Sequence, residues 1–174
     1  PAGPDLEAFE AEVALTCQRS FAVGVSSGTA GLHLALLAMK VRPGDAVLCS
    51  TMTFVATANA ISYVGAVPVL VDAEPESGNM CAHLLKEAVT QVAASGKRIG
   101  AVIPVDFLGK VANYPAIKSV CDDHGIPILA DAAESLGAFH KGNPAGSFGA
   151  SSIISFNGNK IATTSGGGMV LTDD

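Results

Sequence analysis

Short apolar runs separated by segments of helical period constrain this chain more than any other feature. Residues 21–26, 46–50, 67–71, 99–105, 127–130, 151–156 and 168–172 are apolar almost throughout and bounded by Gly, Pro, Asp or Ser. Between several of them lie stretches with the 3.6-residue repeat. After Ser27-Gly28-Thr29, for example, Leu32, Ala35, Leu36 and Met39 recur at i, i+3, i+4 and i+7. Further helices are expected over residues 5–18, with Asp5 as N-cap, and over 51–64, 81–94 and 113–124. Strands that are apolar on both faces belong in the middle of a layered molecule, because an edge or half-exposed strand alternates instead. The expected fold is therefore α/β, a three-layer α/β/α sandwich around a mainly parallel seven-stranded sheet.

Composition narrows the function. With 49% hydrophobic residues, 15% charged residues and 19 glycines, the 174 residues describe a buried, tightly turned domain. A net charge of -6 with scattered Lys and Arg supplies no basic stripe, so nucleic acid is not an expected partner. Cys17, Cys49, Cys81 and Cys121 are far apart, as are His33, His83, His124 and His140, which points away from a zinc site and toward packing in a reducing cytoplasm. Every apolar stretch is interrupted well before the ~18 residues that a membrane span needs. No signal-peptide pattern stands at the start. Both ends look cut, Pro1-Ala-Gly-Pro4 running straight into a helix and Asp173-Asp174 coming just after a strand, so a longer parent protein is expected.

In an open α/β sheet, ligands gather at the carboxyl ends of the strands. The residues just past the successive runs are Ser27-Gly28-Thr29, then Thr53-Phe54, then Asp106, then Asp131 with Glu134, then Ser155 with Lys160. A strand leading into a small-residue turn and a helix leaves free N–H groups and a positive dipole end at Gly28–Ala30, suited to a phosphate. Each feature also has a plain structural reading. Ser27-Gly28-Thr29 serves equally as a helix cap, Phe54 as core, and Lys160 beside Asn-Gly as a solvated turn. Asp131 can be a turn former, since Asp72 and Asp106 stand at similar strand ends. Together, however, a phosphate cradle, an aromatic plate, a carboxylate and a lysine on one rim are the parts that pyridoxal phosphate requires.

Ser27-Gly-Thr-Ala-Gly-Leu-His-Leu-Ala-Leu, Thr53-Phe-Val-Ala-Thr-Ala-Asn-Ala-Ile, Gly65-Ala-Val-Pro-Val-Leu-Val-Asp72, Asp131-Ala-Ala-Glu-Ser-Leu-Gly-Ala and Ser155-Phe-Asn-Gly-Asn-Lys160 with Gly166-Gly-Gly-Met occur in this order. They resemble the DegT/DnrJ/EryC1/StrS sugar aminotransferases, fold-type-I pyridoxal phosphate enzymes, over nearly the whole chain. The 155–160 and 164–168 segments are similar to the branch acting on UDP-4-keto-6-deoxy-N-acetylhexosamines, the bacillosamine type. The resemblance implies that Lys160 forms the Schiff base with pyridoxal 5′-phosphate and shuttles the proton. It further implies that Asp131 pairs with the pyridinium nitrogen, that Gly28, Thr29, Ala30 and Ser155 hold the phosphate, and that Phe54 stacks on the ring. At Glu134 the family commonly shows Gln or His near the ring hydroxyl; an acid departs from that pattern and leaves its role open. L-glutamate as amino donor, a nucleotide-linked keto sugar as acceptor, a cytoplasmic location and a homodimer with shared active sites are also implied. On the size logic of two-domain enzymes, residues 1–174 are the cofactor-binding large domain of a chain about twice as long, without its opening segment and carboxyl-terminal small domain. Two rivals are a sugar dehydratase of the same family, where histidine is expected in place of the lysine, and a non-catalytic binding or regulatory relative.

Overall fold

The computed structural model describes residues 3–174; Pro1 and Ala2, at the opening read as cut, lie outside the described residues. In chain order the elements are α1 (Pro4–Thr16), β1 (Phe21–Val25), α2 (Gly28–Ala38), β2 (Ala46–Ser50), α3 (Ala56–Tyr63), β3 (Val67–Val71), α4 (Ala82–Ala94) and β4 (Ile99–Ile103). A short 3-10 turn (Phe107–Gly109) then leads to α5 (Tyr114–Asp122), β5 (Leu129–Asp131), the small strands β6 (Phe139–His140) and β7 (Asn143–Pro144), then β8 (Ser151–Ser155) and β9 (Gly168–Thr172).

Two ladders, β1-β9-β8-β5 and β3-β2-β4, are joined by parallel bridges from Val102 to Ile128 and from Val105 to Asp131. The result is one seven-stranded sheet in the order β1-β9-β8-β5-β4-β2-β3. The pairs β2-β3, β2-β4 and β5-β8 are parallel, while β9 runs antiparallel to both neighbours. The mainly parallel seven-stranded sheet expected from the apolar runs is therefore present, and helices cover both faces.

Strand alternation sorts side chains between those faces. Leu32 and Leu36 of α2 and Ile61 of α3 pack with Val47, Cys49, Ile103, Leu129 and Ile153 on one face. On the other, Leu85 and Val89 of α4 and Ile117 and Cys121 of α5 pack with Leu48, Val102 and Ala130. Val13 and Cys17 of α1 cover the same second face farther along, against Ile154 and Leu171. Arg19 ties the amino ends together, donating to the carbonyls of Gly146, Phe148 and Gly149 and to the Asp173 carboxylate.

Several boundaries differ from the sequence expectation for identifiable reasons. Helix α1 starts at Pro4 after Gly3 and has no side-chain cap, so Asp5 lies inside the first turn; proline is preorganised for that first position. The helix expected from residue 51 begins at Ala56. Thr51 donates both its N–H and its hydroxyl to the Val71 carbonyl, at 2.9 and 3.0 Å, and this holds the chain extended past β2. The run 99–105 stops as a regular strand before Pro104, which has no N–H for a ladder. The β6-β7 hairpin was not expected; Lys141 and Gly142 both take positive φ, 50° and 84°, as a two-residue hairpin turn demands.

Candidate active site

The cavity of interest, about 270 Å³, lies at the carboxyl ends of the strands and is lined by Ser27, Gly28, Thr29, Thr53, Phe54, Val105, Asp131, Glu134, Ser155, Asn157 and Lys160, among others. A larger one, about 580 Å³, lies at the opposite ends of β5 and β8, but its Lys118 and Asp122 pair with each other on α5 and few polar groups converge there. Convergence of chemistry, not size, picks out the first.

Alternation explains which strand-end residues face it. In β5, Leu129 belongs to the face covered by α2 and α3, so Asp131, two residues on, points the same way. There Asp131 Oδ2 accepts from Thr57 Oγ1 of α3 at 2.7 Å, and Thr57 Oγ1 lies 2.8 Å from Thr53 Oγ1. Asp131 Oδ1 receives a longer bond, 3.3 Å, from the Ala133 N–H. The residue is 5% exposed and has no ion-pair partner among the described residues. Burial pushes its carboxyl above the ordinary value, and the Thr57 and Ala133 hydrogen bonds and the Lys160 charge only partly offset this. A cationic N–H donor brought against Asp131 would remove that penalty.

Across the cavity, Ser27 Oγ caps α2 by accepting from the Ala30 N–H at 3.1 Å. The first helical N–H groups, those of Gly28 and Thr29, have no carbonyl partner within the helix and so suit an anion. Two glycines let the backbones approach closely behind this end, the second against backbone that cannot give way. A Cβ on Gly28 would stand 3.0 Å from the Ser155 Cβ, and one on Gly168 would stand 2.6 Å from the Gly28 nitrogen. Thus β8 and β9 seat α2 directly beside the Ser155 hydroxyl. Ala30, expected among the phosphate ligands, is not on the cavity wall, and its N–H is engaged by Ser27.

Lys160 lies in the turn after β8, where its N–H donates to the Asn157 carbonyl at 3.0 Å. Its side chain is only 11% exposed and its Nζ lies 3.0 Å from Glu134 Oε1. This excludes the reading of Lys160 as a solvated turn charge. Glu134 Oε2 in turn accepts from the Leu108 N–H at 3.0 Å, and Leu108 adopts φ 51°, a left-handed conformation uncommon for leucine. Phe54 stands at the mouth, 72% exposed, with one wall of the cavity behind it.

Asp106, read from sequence as a member of the rim, is not on it. Val105 faces the cavity, so the next residue turns to the other face, where Asp106 is wholly buried against α5. Conversely, Thr57 escaped the sequence reading. The available signal was its position four residues after Thr53, one helical turn, with only the apolar Phe54, Val55 and Ala56 between them.

The chain is similar to proteins of one family along its whole length. EpsN of Bacillus subtilis, which carries a provisional assignment as a pyridoxal phosphate-dependent aminotransferase, is 47% identical over 174 residues, all of this chain and 45% of that protein. GDP-perosamine synthase of Caulobacter vibrioides is 40% identical over 166 residues, 95% of this chain and 43% of its own. Among solved structures, a DegT DnrJ EryC1 StrS aminotransferase from Brucella abortus superimposes with a TM-score of 0.95 at 33% identity, covering 99% of this chain and 47% of that one. The chain thus spans less than half the length of each of these. The sequence profile of the DegT/DnrJ/EryC1/StrS aminotransferase family matches residues 1–174, and the chain belongs to that family.

Proposed function

We propose that these residues hold pyridoxal 5′-phosphate as the large domain of a longer aminotransferase, which moves an amino group from L-glutamate to a nucleotide-linked keto sugar. The observation that carries the reading is the meeting of Lys160 and buried Asp131 in one cavity opposite the amino end of α2. The donor set fits the group. Asp131 is a buried carboxyl with no ion-pair partner among the described residues, the environment that a protonated ring nitrogen would satisfy. Gly28 and Thr29 offer backbone N–H groups and Ser155 a hydroxyl to the phosphate, Phe54 offers a flat face, and Lys160 the amine for the aldehyde. When bound, the cofactor supplies an electron sink for the pair left behind as a proton leaves carbon.

The remaining work falls to the chain. Asp131, oriented by Thr57, keeps negative charge against the ring nitrogen. Lys160 would hold the cofactor aldehyde through Nζ and, when that amine is free, would take the α-proton there and return a proton in the opposite half-reaction. Glu134, itself fixed by the Leu108 N–H, keeps Nζ inside the cavity while it is free. The family and the GDP-perosamine synthase relative support a nucleotide-linked sugar. The sequence of residues 155–168 favours a UDP-4-keto-6-deoxy-N-acetylhexosamine within that class. Lys160 itself speaks against the dehydratase alternative, and its burial beside Glu134 against a merely binding role. A cytoplasmic homodimer with shared sites completes the reading. The test is the full-length protein with glutamate and a panel of nucleotide-linked keto sugars: amino-sugar formation, greatest with the UDP-linked 4-keto compound, is expected. Loss of a sugar hydroxyl without amination, or no turnover of any sugar, would overturn the proposal.

A further inference from the structure

We propose that Asp106 is a positioning residue for Asp131, fixing the cavity carboxyl from the opposite face of the sheet. This rests on the pyridoxal phosphate reading above. Asp106 is 0% exposed and collects three donors: the Ala112 N–H at 2.9 Å and the Tyr114 hydroxyl at 3.0 Å on Oδ1, and the Ser135 hydroxyl at 2.7 Å on Oδ2. Its own backbone N–H donates to the Asp131 carbonyl at 3.0 Å, while the Asp131 N–H donates to the Pro104 carbonyl at 2.9 Å. A single residue therefore grips both ends of the segment 131–135, by its main chain at Asp131 and by its side chain at Ser135. That segment carries Asp131, the Ala133 N–H that reaches the Asp131 carboxylate, and Glu134.

The location makes the grip consequential. Strands β4 and β5 are bridged at Val102–Ile128 and Val105–Asp131, which is where the two ladders join. On its other side Asp131 is held by β8, opposite Ile153, so the Asp106 grip fixes it from the β4 side, where the seam is short. Stacking of Tyr114 on Phe148, with ring centroids 4.3 Å apart, fixes the clamp in turn. A buried carboxylate gains nothing by burial alone, so its three donors and fixed backbone mark it as a locator.

A double-mutant cycle on cofactor affinity in the full-length protein tests the assignment, with thermal unfolding run on every variant. Ser135→Ala removes one donor and Asp106→Asn removes the charge. Each is expected to raise the Kd for pyridoxal phosphate about tenfold alone, yet by less than about twofold in the Asp131→Asn background, because a residue acting through Asp131 couples to it. Equal losses in both backgrounds, or an unchanged Kd in a folded Asp106→Asn protein, overturn the inference. If Asp106→Asn does not fold, Ser135→Ala decides alone. Wild-type protein that fails to bind the cofactor takes down the functional proposal and this inference together, whereas tight binding with additive losses removes only the inference.

Discussion

Asp131 and Asp106 are both buried carboxyls at strand ends, yet they stand on opposite faces and have different consequences. Replacing Asp131 with Asn keeps its shape and its Thr57 contact but removes the charge held against the ring nitrogen. Turnover is expected to fall about a hundredfold or more while the cofactor stays bound; steady-state kcat on cofactor-saturated protein checks this, and an unchanged kcat contradicts the electron-sink role. Asp106 has a consequence for stability as well as for the cavity. Burial raises its carboxyl from 3.8 to about 6. Between those values the folded chain retains a proton that the unfolded chain has released. Its contribution to stability therefore falls as pH rises through that window, by about 3 kcal/mol in all, and the loss is complete above about pH 6. Urea unfolding of wild type and Asp106→Asn at pH 4.5 and 7 measures this, the wild type losing ground to the variant at the higher pH. At this scale the sequence marked the residues that meet in the cavity better than it marked which way each strand end points. Lys160, Asp131, Ser155 and Gly28 were legible because each stands at or just past the end of a strand. Asp106 was not distinguishable from Asp131 because only register and strand alternation decide which face a strand-end residue takes. Thr57 was hidden because its role depends on a contact 74 residues away.

The amino end of α2 owes its place to the glycine-rich lead into β9. A Cβ at Gly168 would press on backbone, 2.6 Å from both the Gly28 nitrogen and the Ser27 carbonyl carbon, and backbone cannot swing aside as a side chain can. Gly168→Ala is expected to cost about 1–3 kcal/mol and to weaken cofactor binding by displacing the phosphate end of the helix. Gly166→Ala, with no atom within 4 Å of its Cβ, is expected to change stability by no more than about 0.5 kcal/mol. Thermal unfolding and cofactor titration of the two variants separate these outcomes, and equal behaviour would contradict the seating of α2 by β9. The order and type of the large elements were readable because their hydrophobic periods are long and unambiguous. The ends were not. Hydrogen bonds from distant residues, such as those from Thr51 to Val71, settled where α3 begins. The antiparallel direction of β9 had a signal, since Gly166–Gly168 can also be read as a tight hairpin and the link from β8 carries no helical stretch to serve as the crossover that a parallel pair needs.

At the scale of the molecule, three large apolar side chains stand uncovered: Phe54 of the cavity lining, Leu108, whose N–H holds Glu134, and Ile161, next to Lys160, are 72%, 78% and 76% exposed. The relatives are more than twice as long, and these exposed side chains are consistent with the proposal of a site completed by further chain and by a second subunit. Sedimentation of the full-length protein is expected to give a dimer; a monomer at assay concentration would contradict the shared-site proposal. No helix among the described residues is long and apolar enough to cross a membrane. Lys160 enters the cavity from the turn after β8. The most direct measurement is to add pyridoxal phosphate to the full-length protein, record the visible absorption band, fix it with borohydride and map the labelled peptide. The expected result is a band lost on reduction and a cofactor-bearing peptide modified at Lys160; the absence of a band, or label on another lysine, would contradict the central claim.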